Sequence, residues 1–224
     1  MHRPYLAEGE YYHLMNRGNQ KQLIFKDDKD RLRFLFLILY FQSPQTFPSL
    51  NRHIVQNPIL NINNIGQKCF NVSDKDVADI IKNRYVELIA FELMPNHFHL
   101  LIREKIEGGI SQYMHRVLIS YTKYFNKKYD QSGHLFQGPY KARHQKDENH
   151  LFYTSAYIHS NARELKDWKR REHLYPWSSY PDYIGENRWG ELLANDIIRG
   201  QFENGNEYKE YVEWTDIKGE VEEI

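Results

Sequence analysis

The hydrophobic and polar positions along the chain switch between two periods. Tyr11 to Asn16 (YYHLMN) is a short run of β-forming residues closed by the turn signal Arg17-Gly18-Asn19, and it predicts a first strand. Asp27-Asp28 opens a helix that runs through Gln42, with acids in the first turn where the helix dipole favours them. Its apolar residues, Leu32 and Phe34 to Leu39, point almost all round, so this helix is expected to be buried. Val86 to Met94 and His97 to Arg103 predict two strands joined at Pro95-Asn96. After Gly108-Gly109, Ile110 to Tyr129 reads as a long helix, with Tyr113, Val117, Tyr121 and Tyr124 at helical spacing. Gly133 to His144 alternates around Gly138-Pro139 and is expected as an irregular last strand. Asp147-Glu148 starts a further helix from Asn149 to about Leu165.

The order strand, helix, strand, strand, helix, strand is that of an α+β, ferredoxin-like split βαβ antiparallel sheet, here with an added C-terminal helix. Residues 43–72 break the pattern with Pro44, Pro48, Pro58 and many asparagines, and read as an irregular insertion. A short helix follows, with Ser73 as its N-cap. The whole interruption spans about 43–84.

Composition narrows the class. Of 224 residues, 41% are hydrophobic and 15% aromatic, which is enough for a packed core. The longest apolar run, Phe34 to Phe41, is far short of the about 20 residues that span a bilayer, so no membrane association is expected. The start, MHRPYLAEGE, lacks the apolar stretch of a secretory signal, and Cys69 is the only cysteine, so a cytoplasmic location is expected.

Net charge is zero, with 30 basic and 30 acidic residues, against the usual basic excess of nucleic-acid binders. The distribution changes that picture. Residues 116–146 carry Arg116, Lys123, Lys127, Lys128, Lys141, Arg143 and Lys146 against Asp130 alone. Residues 201–224 carry Glu203, Glu207, Glu210, Glu213, Asp216, Glu220, Glu222 and Glu223 against Lys209 and Lys218. The acidic tail is a candidate to fold back over the basic surface. A charge run is equally the mark of a plain solvated face.

His97-Phe98-His99 lies on a predicted strand, where side chains two apart share a face. Two imidazoles so placed are able to share a divalent metal, or are simply two hydrogen-bonded sheet histidines. In the last helix, Tyr153, Tyr157 and Asn161 recur every four residues on one face. Asn161 offers a hard amide oxygen suited to magnesium or manganese, one turn from a tyrosine. The tyrosines alone are compatible with packing on the sheet.

Five stretches in order resemble one family. Leu93 to Leu101 (LMPNHFHLL) is similar to the His-hydrophobic-His (HUH) motif of single-tyrosine transposases. Asn16-Arg17-Gly18-Asn19 with Ile24-Phe25 resembles the family's first strand and turn. Ser132 to Gly138 resembles the segment before its last strand. Tyr157-Ile158-His159-Ser160-Asn161 resembles its catalytic helix, and Tyr175 to Tyr180 a stretch that follows. The resemblance spans roughly residues 8–185 and is strongest to the REP-associated branch. It departs at Ala162, where the family usually has proline, and at the 43–84 insertion; it also stops before the 186–224 extension.

The resemblance implies an HUH domain in residues 1–185 that cuts and rejoins single-stranded or hairpin DNA through a 5′-phosphotyrosine. It implies that His97, His99 and Asn161 hold Mg2+ or Mn2+, and that Tyr157 is the nucleophile; Tyr153, one turn earlier on the same helix face, is the runner-up. Arg116, Lys123, Lys127, Lys128, Lys141 and Arg143, interleaved with aromatics, are the expected DNA contacts. A homodimer is left open. Two other readings remain: a DNA-binding regulator without cleavage, and a metal phosphodiesterase that uses water.

Overall fold

The computed structural model describes residues 6–54 and 65–215. Four strands form one antiparallel sheet: β1 (Tyr11–Arg17), β2 (Val86–Met94), β3 (His97–Glu104) and β4 (Lys141–Gln145), in spatial order β2-β3-β1-β4. That is the expected split βαβ arrangement. The helices are α1 (Asp28–Tyr40), α2 (Asp74–Lys82), α3 (Gly109–Tyr129), α4 (Glu148–Ser160), α5 (Tyr180–Ile184), α6 (Asp196–Arg199) and α7 (Gly205–Trp214). None of the described helices is long and apolar enough to cross a membrane.

The pleat sends alternate residues of each strand to opposite faces. On one face Tyr12 and Leu14 of β1 and Phe98, Leu100 and Ile102 of β3 pack under α1 and α3 in the larger core. Phe34 anchors that layer, its ring 4.9 Å from those of Phe98 and Tyr121. A capping box starts α1: Asp27 accepts from the Asp30 N–H while the Asp30 carboxylate accepts from the Asp27 N–H. On the other face a smaller core joins Leu101 to Leu151, Ala156 and Ile158 of α4, and to Tyr180, Tyr183, Ile198, Tyr208 and Val212. A register shift between Leu88 and Ala90 keeps both faces of β2 in phase with β3.

Three expectations need correction. The last strand is only Lys141–Gln145; residues 133–140 approach as loop, with Phe136 bridged to Gly18, the Gln137 N–H donating to the Arg17 carbonyl and Asn16 Nδ2 donating to the Gly138 carbonyl. Gly138-Pro139 accounts for this, because proline donates no ladder hydrogen bond. The α4 helix ends at Ser160, and Asn161 opens a 3-10 turn to Glu164. Asn161 is still αR (φ −59°, ψ −33°), so its fourfold spacing from Tyr157 survives.

The insertion is also less irregular at its ends than its prolines suggest. Phe47 and Phe70 are buried against Phe36 and Tyr40; its middle, with Pro58, lies outside the described residues. The chain beyond 185 is knitted into the fold. Trp189, Leu192 and Leu193 join the larger core, and α7 packs on α4 and α5. Residues 216–224 fall outside the described range.

Candidate active site

The second sheet face carries the chemistry. Alternation aims His97 and His99 of β3 and His13, Met15 and Arg17 of β1 the same way. The hairpin that presents His97 is held from three sides. The Gly18 N–H donates to the Asn96 carbonyl at 2.8 Å, and the Ile24 and Phe25 N–H groups donate to the Pro95 carbonyl. Gly18 itself tolerates no side chain, since a Cβ there would meet the Gln22 carbonyl oxygen at 2.1 Å.

The His97 and His99 rings lie 5.0 Å apart. Each has its Nδ1 engaged: His97 with Asn96 Oδ1 at 2.7 Å, and His99 with His13 Nε2 at 2.9 Å. The acceptor on Asn96 requires the His97 proton on Nδ1, which leaves Nε2 with a lone pair. The same tautomer on His99, donating to His13, leaves its Nε2 free. His99 Nε2 is fully buried and has no hydrogen-bond partner. A buried polar atom without a partner is costly unless something else engages it.

All three imidazoles are held neutral. Burial, reinforced by Arg143, pushes His13 down to about 3. Burial and the Arg17 charge push His97 down to about 4, against a hydrogen bond to Asn161. Burial and the neighbouring His13, His97 and Arg17 put His99 well below its ordinary value. Neutral imidazole is the form that ligates metal.

The α4 helix brings the tyrosine. Asp147 caps its start by accepting from the His150 N–H at 2.9 Å. Thr154 donates to Gln145 Oε1 of β4 at 2.6 Å. His159 is clamped between the Tyr208 hydroxyl and Ser179 Oγ, each at 2.7 Å, and stacks on Tyr180. These ties point Tyr157 at the sheet histidines, its ring 5.5 Å from His99 and 5.8 Å from His13. Tyr157 is half-buried, so the phenol has a route outward. Burial and then the exposed Glu164 raise its pKa, while a hydrogen bond from Asn161 and the Arg17 charge act the other way. Asn161 Nδ2 donates to the Tyr157 carbonyl at 2.7 Å, which fixes the amide between phenol and imidazole. Tyr153 lies one turn back and is also half-buried.

Glu92 sits opposite His99 in the sheet, fully buried. Burial holds its carboxyl well above the usual range; Ser178 and the Ala162 N–H pull the other way, but neither closes a hydrogen bond on it.

The structure divides the expected DNA contacts. Lys141 and Arg143 are exposed on β4, opposite Met15 and His13, and so border the site. Lys123 and Lys127 are exposed on α3, in the layer across the sheet. Arg116 is committed to the carbonyls of Phe41, Ser43 and Gln45. Lys128 is bound to Asp27 and Asp30, each at 2.7 Å. Both are tied to groups of the chain itself, although Lys128 remains exposed. Sequence spacing could not separate them, because a helix face says nothing of which partners it meets. His13 and Arg17 were not singled out from the sequence, although both stand at alternate positions of the same strand.

This sheet, with a His-x-His strand and a tyrosine helix on one face, defines a single-tyrosine HUH protein. The family model for IS200-like transposases matches residues 46–161, just over half of the chain, and the protein belongs to that family. Among solved structures, that of a REP-associated tyrosine transposase bound to a REP hairpin is similar. It is 12% identical, with a TM-score of 0.51, over 88% of this chain and 92% of that one, and it supports the fold. Comparison with curated proteins gave no significant match.

Proposed function

We propose that the protein cleaves and rejoins single-stranded DNA with Tyr157 as nucleophile, assisted by a divalent metal, Mg2+ or Mn2+, held by His97, His99 and Asn161. The observation that carries this reading is the half-buried Tyr157 ring packed edge-on against His99, whose buried Nε2 has no partner. The donor set suits the ion: two neutral imidazoles with fixed tautomers and one amide, all on one face. When bound, the metal would polarise the phosphodiester and offset charge gathered there.

The chain's own groups do the rest. Asn161 steadies the phenol, whose ordinary pKa near 10 leaves about one in a thousand ionised at neutral pH. Tyr157 Oη bonds to phosphorus, the bond to the 3′ oxygen breaks, and the phenolic proton passes through water to the departing 3′ oxygen. The products are a 5′-phosphotyrosine and a 3′-hydroxyl. Return attack by a 3′-hydroxyl on that adduct reseals a strand with no loss of phosphoester bonds. Lys141 and Arg143 beside the site, and Lys123 and Lys127 for a longer strand, would contact phosphates. A DNA hairpin is the favoured substrate, by the likeness of fold to the hairpin-bound transposase.

The test is a denaturant-stable protein–DNA adduct on end-labelled strands from the gene's flanks, with Mn2+ present. The wild type should form it and Tyr157→Phe should not. Binding without an adduct would favour a regulator. Cleavage that survives Tyr157→Phe but not His97→Ala would favour water as the nucleophile.

A further inference from the structure

We propose that Arg17 is a substrate-contacting catalytic residue, its guanidinium holding the non-bridging oxygens of the scissile phosphodiester beside the two-histidine position. This rests on the strand-cleaving reading above and adds a residue to that site.

Arg17 is the last residue of β1 and stands directly opposite His97 in the register, on the same face. Cross-strand partners so placed have Cβ atoms about 5 Å apart. The position is rigid, because the next residue, Gly18, is packed against the Gln22 carbonyl and bonded to the hairpin that carries His97.

The side chain is nevertheless uncommitted. Its Nε is buried with no hydrogen-bond partner. Among the described residues Arg17 makes no ion pair, whereas Arg84 and Arg103 are tied to Glu87, Arg188 to Asp182, Arg33 to Asn51 and Arg116 to carbonyls. Leaving a buried donor unmade costs on the order of 1–3 kcal/mol. Arg31 and Arg33 also have unpartnered Nε atoms, but each guanidinium has a side-chain partner elsewhere, and among the described residues that of Arg17 has none.

Charge then selects the ligand. A guanidinium stands beside two groups suited to bind a cation, and no carboxylate among the described residues joins those histidines in a metal-holding set. Glu92, opposite His99 in the sheet, is fully buried with both oxygens unpartnered, and Glu164 is exposed and acts on Tyr157; among the described residues neither forms an ion pair with Arg17. Two cations and neutral ligands require an anion between them. A phosphodiester supplies one negative charge and a pair of oxygens that match the guanidinium fork. Because the phosphate would then lie between Arg17 and the histidines, with Tyr157 at hand, the contact falls at the reacting group and not along the flanking strand.

The experiment uses the full chain as wild type, Arg17→Gln and Arg17→Lys. Two quantities are measured: the adduct rate at saturating single-stranded DNA from the gene's flanks, and Mn2+ affinity without DNA by electron paramagnetic resonance. Arg17→Gln should slow the adduct step by about 10²–10³-fold, as loss of a transition-state donor does. Arg17→Lys should recover part of it. Mn2+ should bind Arg17→Gln at least as tightly as wild type, since a repelling charge has gone. A structural prop would instead weaken Mn2+ binding. A remote strand contact would raise only the DNA concentration needed and leave the saturated rate intact. Either result overturns the proposal. Absence of any adduct from the wild type overturns the strand-cleaving reading itself, and this with it.

Discussion

The two faces of the sheet are built from the same strands and differ in almost everything else. Under α1 and α3, Tyr12, Leu14, Phe98, Leu100 and Ile102 pack with Phe34 and Tyr121 in a continuous apolar layer. One residue along each strand, facing α4, stand His13, Arg17, His97, His99 and Glu92. The apolar face carries stability, and the other spends some of it. His99 Nε2, Arg17 Nε and both Glu92 oxygens are buried there without hydrogen bonds. A fold that tolerates such groups side by side holds them ready for a ligand.

Neighbouring residues sharpen that contrast most. Phe98→Ala should lower unfolding free energy by about 3–5 kcal/mol in urea titrations, because it opens a hole in the packed layer. His99→Leu, one position on, should cost clearly less, since removing an unsatisfied buried nitrogen offsets the His13 acceptor that it leaves unpaired. It should also abolish Mn2+ binding. Equal losses for the two variants would erase the distinction between the faces.

Acid should expose the second face next. His13 and His159 have folded pKa values of about 3, below the ordinary 6.5. Between those values the unfolded chain binds protons that the folded chain refuses. Stability is therefore complete above about pH 6.5 and falls with decreasing pH toward 3, by about 1.4 kcal/mol per unit for each such histidine. Urea midpoints that stay flat from pH 7 to 4.5 would contradict this.

A smaller effect should separate the two roles of histidine on that face. His13 touches the proposed metal position only through His99, so it acts as a positioning residue. His13→Phe should weaken Mn2+ binding about 10–100-fold, and His13→Gln, which keeps an acceptor, should restore part of it. An unchanged affinity in His13→Phe would remove His13 from the site.

Much of this was visible in the sequence because it rests on period. The strand and helix order followed from alternation, and the shared face of His97 with His99, and of Tyr157 with Asn161, from spacing alone. What escaped depended on partners distant in the chain. Arg116 and Lys128 look like their exposed neighbours until their bonds to Ser43 and Asp30 are known. His13 lies 86 positions from His99, and only the pairing of β1 with β3 joins them. Tyr208 looks like part of an acidic tail, yet it fastens the helix that carries the tyrosine.

The central claim is that the phenol of Tyr157 becomes bonded to DNA. Trapped adduct should be digested with protease and nuclease, and the peptide bearing the residual nucleotide sequenced by mass spectrometry. The modification should fall on Tyr157. Its appearance on Tyr153, or nicked DNA with no modified peptide at all, would contradict the account.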